Sequence, residues 1–168
     1  YHDHGGYIAA LAGSVRESFA EHGEPERLLM SFHGLPRRYL LAGDPYHCQC
    51  HKTARLLADA LGLDDDRWHL SFQSRVGPEE WLGPYTDVTL KAWGGEGVRS
   101  VQVVAPGFSA DCLETLEEID EQNREFFQEA GGGSFHYIPA LNTRPDHVAA
   151  LADIVTANLQ GWPEVSGT

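Results

Sequence analysis

The chain has 168 residues, 42% of them hydrophobic and 22% charged, with a mean hydropathy of -0.34. That is enough for one domain with a proper core and too little for two ordinary ones. Twelve Lys and Arg against 25 Asp and Glu leave a net charge of -13 with no basic cluster to meet phosphates, which argues against a nucleic-acid partner and for cations. No apolar run approaches the roughly 20 residues of a membrane span. Three cysteines, Cys48, Cys50 and Cys112, are an odd number for a disulfide framework and fit a reducing compartment. The sequence begins YHDHGGYIAAL, with no initiator Met and no signal-like segment, so it is expected to be a fragment or a trimmed chain.

Apolar residues Tyr7, Ile8, Leu11, Val15 and Phe19 recur at helical spacing, predicting an opening helix over 6–20. Leu28 to His33 reads as a strand buried on both faces, closed by Gly34 and Pro36. A helix follows over 46–61, then a strand over 68–72, a loop over 74–84 and a short helix over 85–93. Val101 to Ala105 is a third strand, 109–130 the longest helix, Phe135 to Ile138 a fourth strand, and 145–159 a last helix with Pro145 at its start. Strands alternating with helices of this length predict an α/β fold: a three-layer, Rossmann-like lobe with about four mainly parallel strands between helices. One domain is expected over 1–160, followed by a tail over 161–168.

In open parallel sheets, ligands sit beyond the carboxyl ends of the strands. His33 lies at such an end, where an imidazole serves as a base, as a divalent-metal ligand, or as a structural hydrogen-bonding group. On the longest helix Asp111, Glu114, Glu118, Glu121 and Glu125 recur in steps of 3 and 4, which an α-helix places on one face. Such a stripe is ordinarily a solvated surface; the alternative is a ladder of hard oxygen ligands leading a divalent cation toward a deeper acceptor. Trp81, in the loop, either packs that loop down or walls a flat aromatic ligand. His47-Cys48-Gln49-Cys50-His51 resembles a metal tract, but on a helix the two thiols diverge, which argues against a structural zinc. An iron–sulfur cluster ordinarily needs four thiolates, and three cysteines are present. Walker, GxGxxG, GxSxG and HExxH signatures are absent.

Read together, Ser31-Phe32-His33-Gly34-Leu35-Pro36, Gly43-Asp44-Pro45-Tyr46, Phe72 to Pro78 with Trp81 to Asp87, Pro106-Gly107-Phe108 and Asp111 to Glu118 resemble the C-terminal half of the ferrochelatase family. The likeness runs from about Tyr1 to Leu159, with the motifs in order. It implies a lyase that inserts Fe2+ into protoporphyrin IX, bound distorted, to form haem with release of two protons. It implies no cofactor beyond the substrate iron, and a cytoplasmic location. In it His33 matches the essential histidine, Glu114 the carboxylate facing it across the porphyrin cleft, and Glu118 the next acidic ligand one turn on. Gln122 stands where many members carry an acid, so either Glu121 substitutes or that outer station is missing. Cys112 stands where some members carry a second histidine. Trp81, Asp111 and Glu121 are further candidates for porphyrin contact or metal relay.

The resemblance also implies a second lobe outside this chain. Without it Val148, Leu151 and Val155 are expected to be exposed, and the isolated chain to self-associate or to be poorly active. Two alternatives stay open: a short cobalt or nickel chelatase built from paired copies, and a metal- or haem-binding module without turnover.

Overall fold

A computed structural model describes residues 1–162. Its elements in order are α1 (Gly5–His22), β1 (Arg27–His33), α2 (Arg37–Leu41), α3 (Tyr46–Leu61), β2 (Trp68–Gln73), α4 (Thr86–Gly95) and β3 (Ser100–Val104). A composite helix over 113–129, called α5 here, follows, then β4 (Ser134–Ile138) and α6 (Pro145–Asn158). Of the expected tail, Gly161 and Trp162 are described and the remainder lies outside the described residues.

The four strands form one all-parallel sheet in the order β2-β1-β3-β4, the α/β architecture expected. Because successive strand side chains alternate between faces, each strand feeds two cores. Leu28, Met30 and Phe32 of β1 and Leu70 and Phe72 of β2 pack with Tyr7, Leu11 and Val15 of α1 and Leu57 of α3. On the other face Leu29, Val101, Val103 and Phe135 pack with Leu90 and Trp93 of α4 and Ile119 and Phe127 of α5. Full burial of each such side chain contributes about 1.5–3 kcal/mol. The same alternation sends Ser31 and His33 of β1, and Ser71 and Gln73 of β2, toward the α4 and α5 side. This is the step by which the pattern of the core decides where the imidazole emerges.

Gly94 lets α4 and α5 touch: a Cβ there would lie 2.4 Å from the Phe127 carbonyl oxygen and 2.7 Å from the Ala130 Cβ. The final helix packs on α1, with His147 and Ala150 buried and Arg144 donating to Glu17 at 2.5 Å. It leaves Val148 and Val155 more than half exposed, while Leu151 is half-buried.

Two local features depart from the sequence reading. The short α2 lies where the sequence reading assigned no element. The long helix starts at Leu113 rather than Ser109, because Cys112 is extended (φ -151°, ψ -173°) and the Asp111 side chain is engaged elsewhere. Its middle, Leu116–Asn123, is a π-helix between α-helical turns at Leu113–Thr115 and Arg124–Glu129. Wide turns of this kind bond residue i to i+5 and are rare. Here one carbonyl just before it and one within it receive side-chain amides: Gln73 Nε2 donates to the Glu114 oxygen at 2.6 Å and Asn123 Nδ2 to the Glu118 oxygen at 2.7 Å.

Candidate active site

The sheet order reverses between β1 and β3, and a crevice forms beyond strand ends at such a switch point. An open cleft of about 460 Å³ lies there. His33 enters it from β1, Ser74 to Val76 from the chain after β2, and Glu114, Glu117, Glu118 and Gln122 from α5.

His33 is half-buried, with Nδ1 2.7 Å from the Gly34 carbonyl oxygen. A carbonyl only accepts, so Nδ1 is the donor here, and in the neutral ring Nε2 carries the free lone pair. Trp81 and Phe108 flank the ring, with centroids 6.4 and 6.2 Å away. Trp81 donates its indole N–H to the Val76 carbonyl at 3.0 Å and lies against Gly34, where a Cβ would come within 3.1 Å of its ring and 2.9 Å of the Gln73 carbonyl oxygen. The indole therefore folds the loop down beside the histidine. Exposed ion pairs fix the loop's outer rim: Arg37 to Glu80 at 2.5 Å, Arg38 to Glu79, and Arg75 to Asp87 at 2.8 Å.

Glu114 sits in the first turn of α5. A hydrogen bond from the Cys112 thiol, its own N–H and the nearby His33 hold its carboxyl below the usual range against a small opposing effect of desolvation. The Cys112 thiol is pushed up, first by burial and then by that carboxylate, so at neutral pH it is a donor.

Glu118 is gripped by one residue. Ser74 donates its N–H to Oε1 at 2.7 Å and its hydroxyl to Oε2 at 2.6 Å. To present both donors Ser74 adopts φ +65°, a left-handed conformation that costs an L-residue about 1–2 kcal/mol. Next to it Gln122 donates to Glu117 at 3.4 Å.

The π-turn redistributes the acidic stripe. Glu117, on which the α-helical spacing placed no weight, joins Glu114 and Glu118 at the cleft, whereas Glu121 is exposed and outside its lining. Asp111 turns away to a clamp of its own. Its carboxylate accepts from Tyr137 at 2.8 Å, the Ala140 N–H at 3.1 Å and Asn142 at 2.7 Å. Burial alone would raise its pKa, but bonds from Asn142, Ala140, Tyr137 and Thr115 outweigh it and hold the group below the usual carboxylate range.

In the His47 to His51 tract, Cys48 is exposed and Cys50 buried, with burial raising the Cys50 thiol to about 12. His47 and His51 lie 4.5 Å apart between ring centroids. Among the described residues no group of three or more His, Cys, Asp or Glu side chains is disposed to hold a metal ion. The donors facing the cleft are one imidazole and three carboxylates, ligand types that suit a divalent first-row ion. Ser74, Gln73 and Glu117 were not singled out from sequence. The signal for the first two was available: polar residues where an apolar strand runs into a turn.

A model of the ferrochelatase family matches residues 1–159. The ferrochelatase of Thioalkalivibrio sulfidiphilus is 63% identical over 99% of this chain and 45% of its own length. That of Nitrosococcus oceani is 60% identical over 98% of this chain and 45% of its own. The ferrochelatase of Hydrogenovibrio crunogenus is 58% identical over 99% and 44%. The chain thus spans about half the length of the curated relatives it matches. With the family model matched over residues 1–159 and relatives 58–63% identical over nearly the whole chain, the chain belongs to the ferrochelatase family.

Proposed function

We propose that this chain supplies the metal-inserting half of a ferrochelatase, which places Fe2+ in protoporphyrin IX and releases two protons, in the cytoplasm. The observation that carries the reading is the convergence of His33 and Glu114, 81 positions apart along the chain, on one cleft beyond the strand ends. Metalation requires two pyrrole N–H protons to leave while the ion sheds its water. The free Nε2 lone pair of His33 is the proton acceptor nearest such a macrocycle, and Glu114, held ionised, stabilises the imidazolium that results. The two protons then pass to solvent.

Glu118 and Glu117 offer hard oxygen ligands along the approach to that pair. Trp81 and Phe108 frame the imidazole with aromatic surface suited to a flat tetrapyrrole. No cofactor beyond the substrate iron enters this scheme. The remaining wall of the porphyrin site would come from a second lobe or from self-association, and the half-exposed Val148 and Val155 offer apolar surface for it.

The test is steady-state metal insertion by the full-length protein carrying this chain, with His33→Ala and Glu114→Gln. Loss of a general base typically costs about 10²–10⁴-fold, and that loss is expected in kcat for His33→Ala with iron and with zinc. Insertion at the unaltered rate by either variant would end the assignment. Turnover with cobalt or nickel in place of iron would point to the other chelatase specificity, and porphyrin binding without insertion to a binding module.

A further inference from the structure

Gln73 is a polar side chain in the wall between the two cores, only 3% exposed, and it touches the main chain beside both proposed reacting groups. Its Cα is the register partner of His33, and its backbone oxygen accepts the Gly34 N–H at 2.8 Å. Its side chain donates from Nε2 to the Glu114 carbonyl at 2.6 Å. One residue therefore spans the gap from the end of β1 to the first turn of α5.

The oxygen end of that amide meets three hydroxyls behind it. Ser31 Oγ lies 2.8 Å from Gln73 Oε1 and 2.8 Å from Thr86 Oγ1, and Ser71 Oγ lies 2.8 Å from Thr86 Oγ1. All four side chains are buried, none more than 3% exposed. An amide oxygen only accepts and each hydroxyl has one proton. Ser31 must therefore donate to Gln73, Thr86 to Ser31, and Ser71 to Thr86; any other sense leaves a buried contact without a proton. The Glu114 carbonyl, which only accepts, fixes Nε2 toward itself, and the relay behind Oε1 takes its sense from that. An amide turned over would set two oxygens against each other at Glu114.

We propose that Gln73 is a positioning residue of the insertion site, holding Glu114 at its working distance from His33, with Ser31, Thr86 and Ser71 bonded in series behind its amide oxygen. The inference rests on the reading of His33 and Glu114 given above. The chemistry favours such a brace because Glu114 lies where the helix changes from an α-turn to the wide turn, so its own hydrogen-bond ladder does not hold it firmly. Misplacing a reacting group by about 1 Å costs on the order of 10²-fold in rate.

The test uses the full-length enzyme with Gln73→Leu, Ser31→Ala, Glu114→Gln, His33→Ala and the double variant Gln73→Leu/Glu114→Gln. Gln73→Leu is expected to lower kcat about 10- to 100-fold with KM for porphyrin within about twofold, because the reaction geometry changes and the binding surface does not. In the Glu114→Gln background the same change should have little further effect, since the group being positioned is already disabled. Ser31→Ala, which removes the donor to Oε1 and so loosens the amide, should give a smaller fall of kcat with KM again unchanged, and it carries the test if Gln73→Leu does not fold.

Unaltered kcat in folded Gln73→Leu, a fall of equal size in the Glu114→Gln background, or a rise in KM that accounts for the loss would each overturn the proposal. If His33→Ala and Glu114→Gln themselves keep full activity, the reading of the site fails and this inference with it. If those two lose activity while Gln73→Leu does not, the positioning role alone is wrong.

Discussion

Ser74 provides a test in which two substitutions share one loss and differ in another. Both Ser74→Gly and Ser74→Ala delete the hydroxyl that reaches Glu118 Oε2, and both keep the N–H that reaches Oε1 at 2.7 Å. The missing bond cancels in the comparison. What remains is backbone conformation: at φ +65° alanine retains the left-handed cost of about 1–2 kcal/mol, which glycine lacks. Against this, glycine loses about 0.4–1 kcal/mol more backbone entropy on folding. The glycine variant should therefore be the more stable by about 0.8 kcal/mol, from the midpoints of those two ranges. For a protein of this size that is about 1–4 °C in Tm. Urea unfolding at pH 7 with equal m-values measures it directly. Alanine above glycine by about 0.4–1 kcal/mol, the entropy difference alone, would show that Ser74 stores no backbone strain and that its grip on Glu118 comes without conformational cost.

Leu29→Ala, at a fully buried position in the core that faces α4 and α5, should cost about 2–5 kcal/mol in denaturant unfolding. Gly94→Ala should destabilise by about 1–3 kcal/mol despite alanine's better helix propensity, because its Cβ would sit 2.4 Å from the Phe127 carbonyl oxygen; a raised urea midpoint would contradict the close approach. Asp111 has its pKa lowered in the fold, so between that value and its unfolded one the unfolded chain binds more protons. Its contribution is fully present above the unfolded pKa and is lost as pH falls through the folded one. Stability measured from pH 6 downward should decline less steeply in Asp111→Asn than in the parent.

The sheet was readable because its strands carry mostly apolar runs, broken only by single polar residues. Leu28 to Phe32 and Val101 to Ala105 can be buried only between two layers of helices, and the Gly and Pro residues after them mark the turns at which the site opens. His33 and Glu114 followed from that placement together with the family likeness. The distribution of acids on α5 did not follow, because a spacing of 3 and 4 presupposes an α-helix. The wide turn is met by partners from elsewhere in the chain, Ser74 on the Glu118 side chain within it and Gln73 on the Glu114 carbonyl just before it, so the exchange of Glu121 for Glu117 is a tertiary effect. Asp111 illustrates the same limit: its clamp is built by Tyr137, Ala140 and Asn142, 26 to 31 positions away. The strands did carry a faint sign of the Gln73 relay, since Ser31 and Ser71 interrupt apolar runs at positions that turn out to be register partners.

The wall of the cleft beside His33 is held by two kinds of force that answer differently to the medium. Its inner part is the indole packed on Gly34, which added electrolyte leaves intact. Its outer part is tied down by Arg37, Arg38 and Arg75 to carboxylates in water, and such pairs weaken as counterions gather, with a Debye length of about 8 Å near physiological ionic strength and about 3 Å at 1 M. Concentrated salt should therefore release the rim while the floor around the imidazole keeps its shape. The entrance of this site is tunable by the surrounding solution in a way that its centre is not.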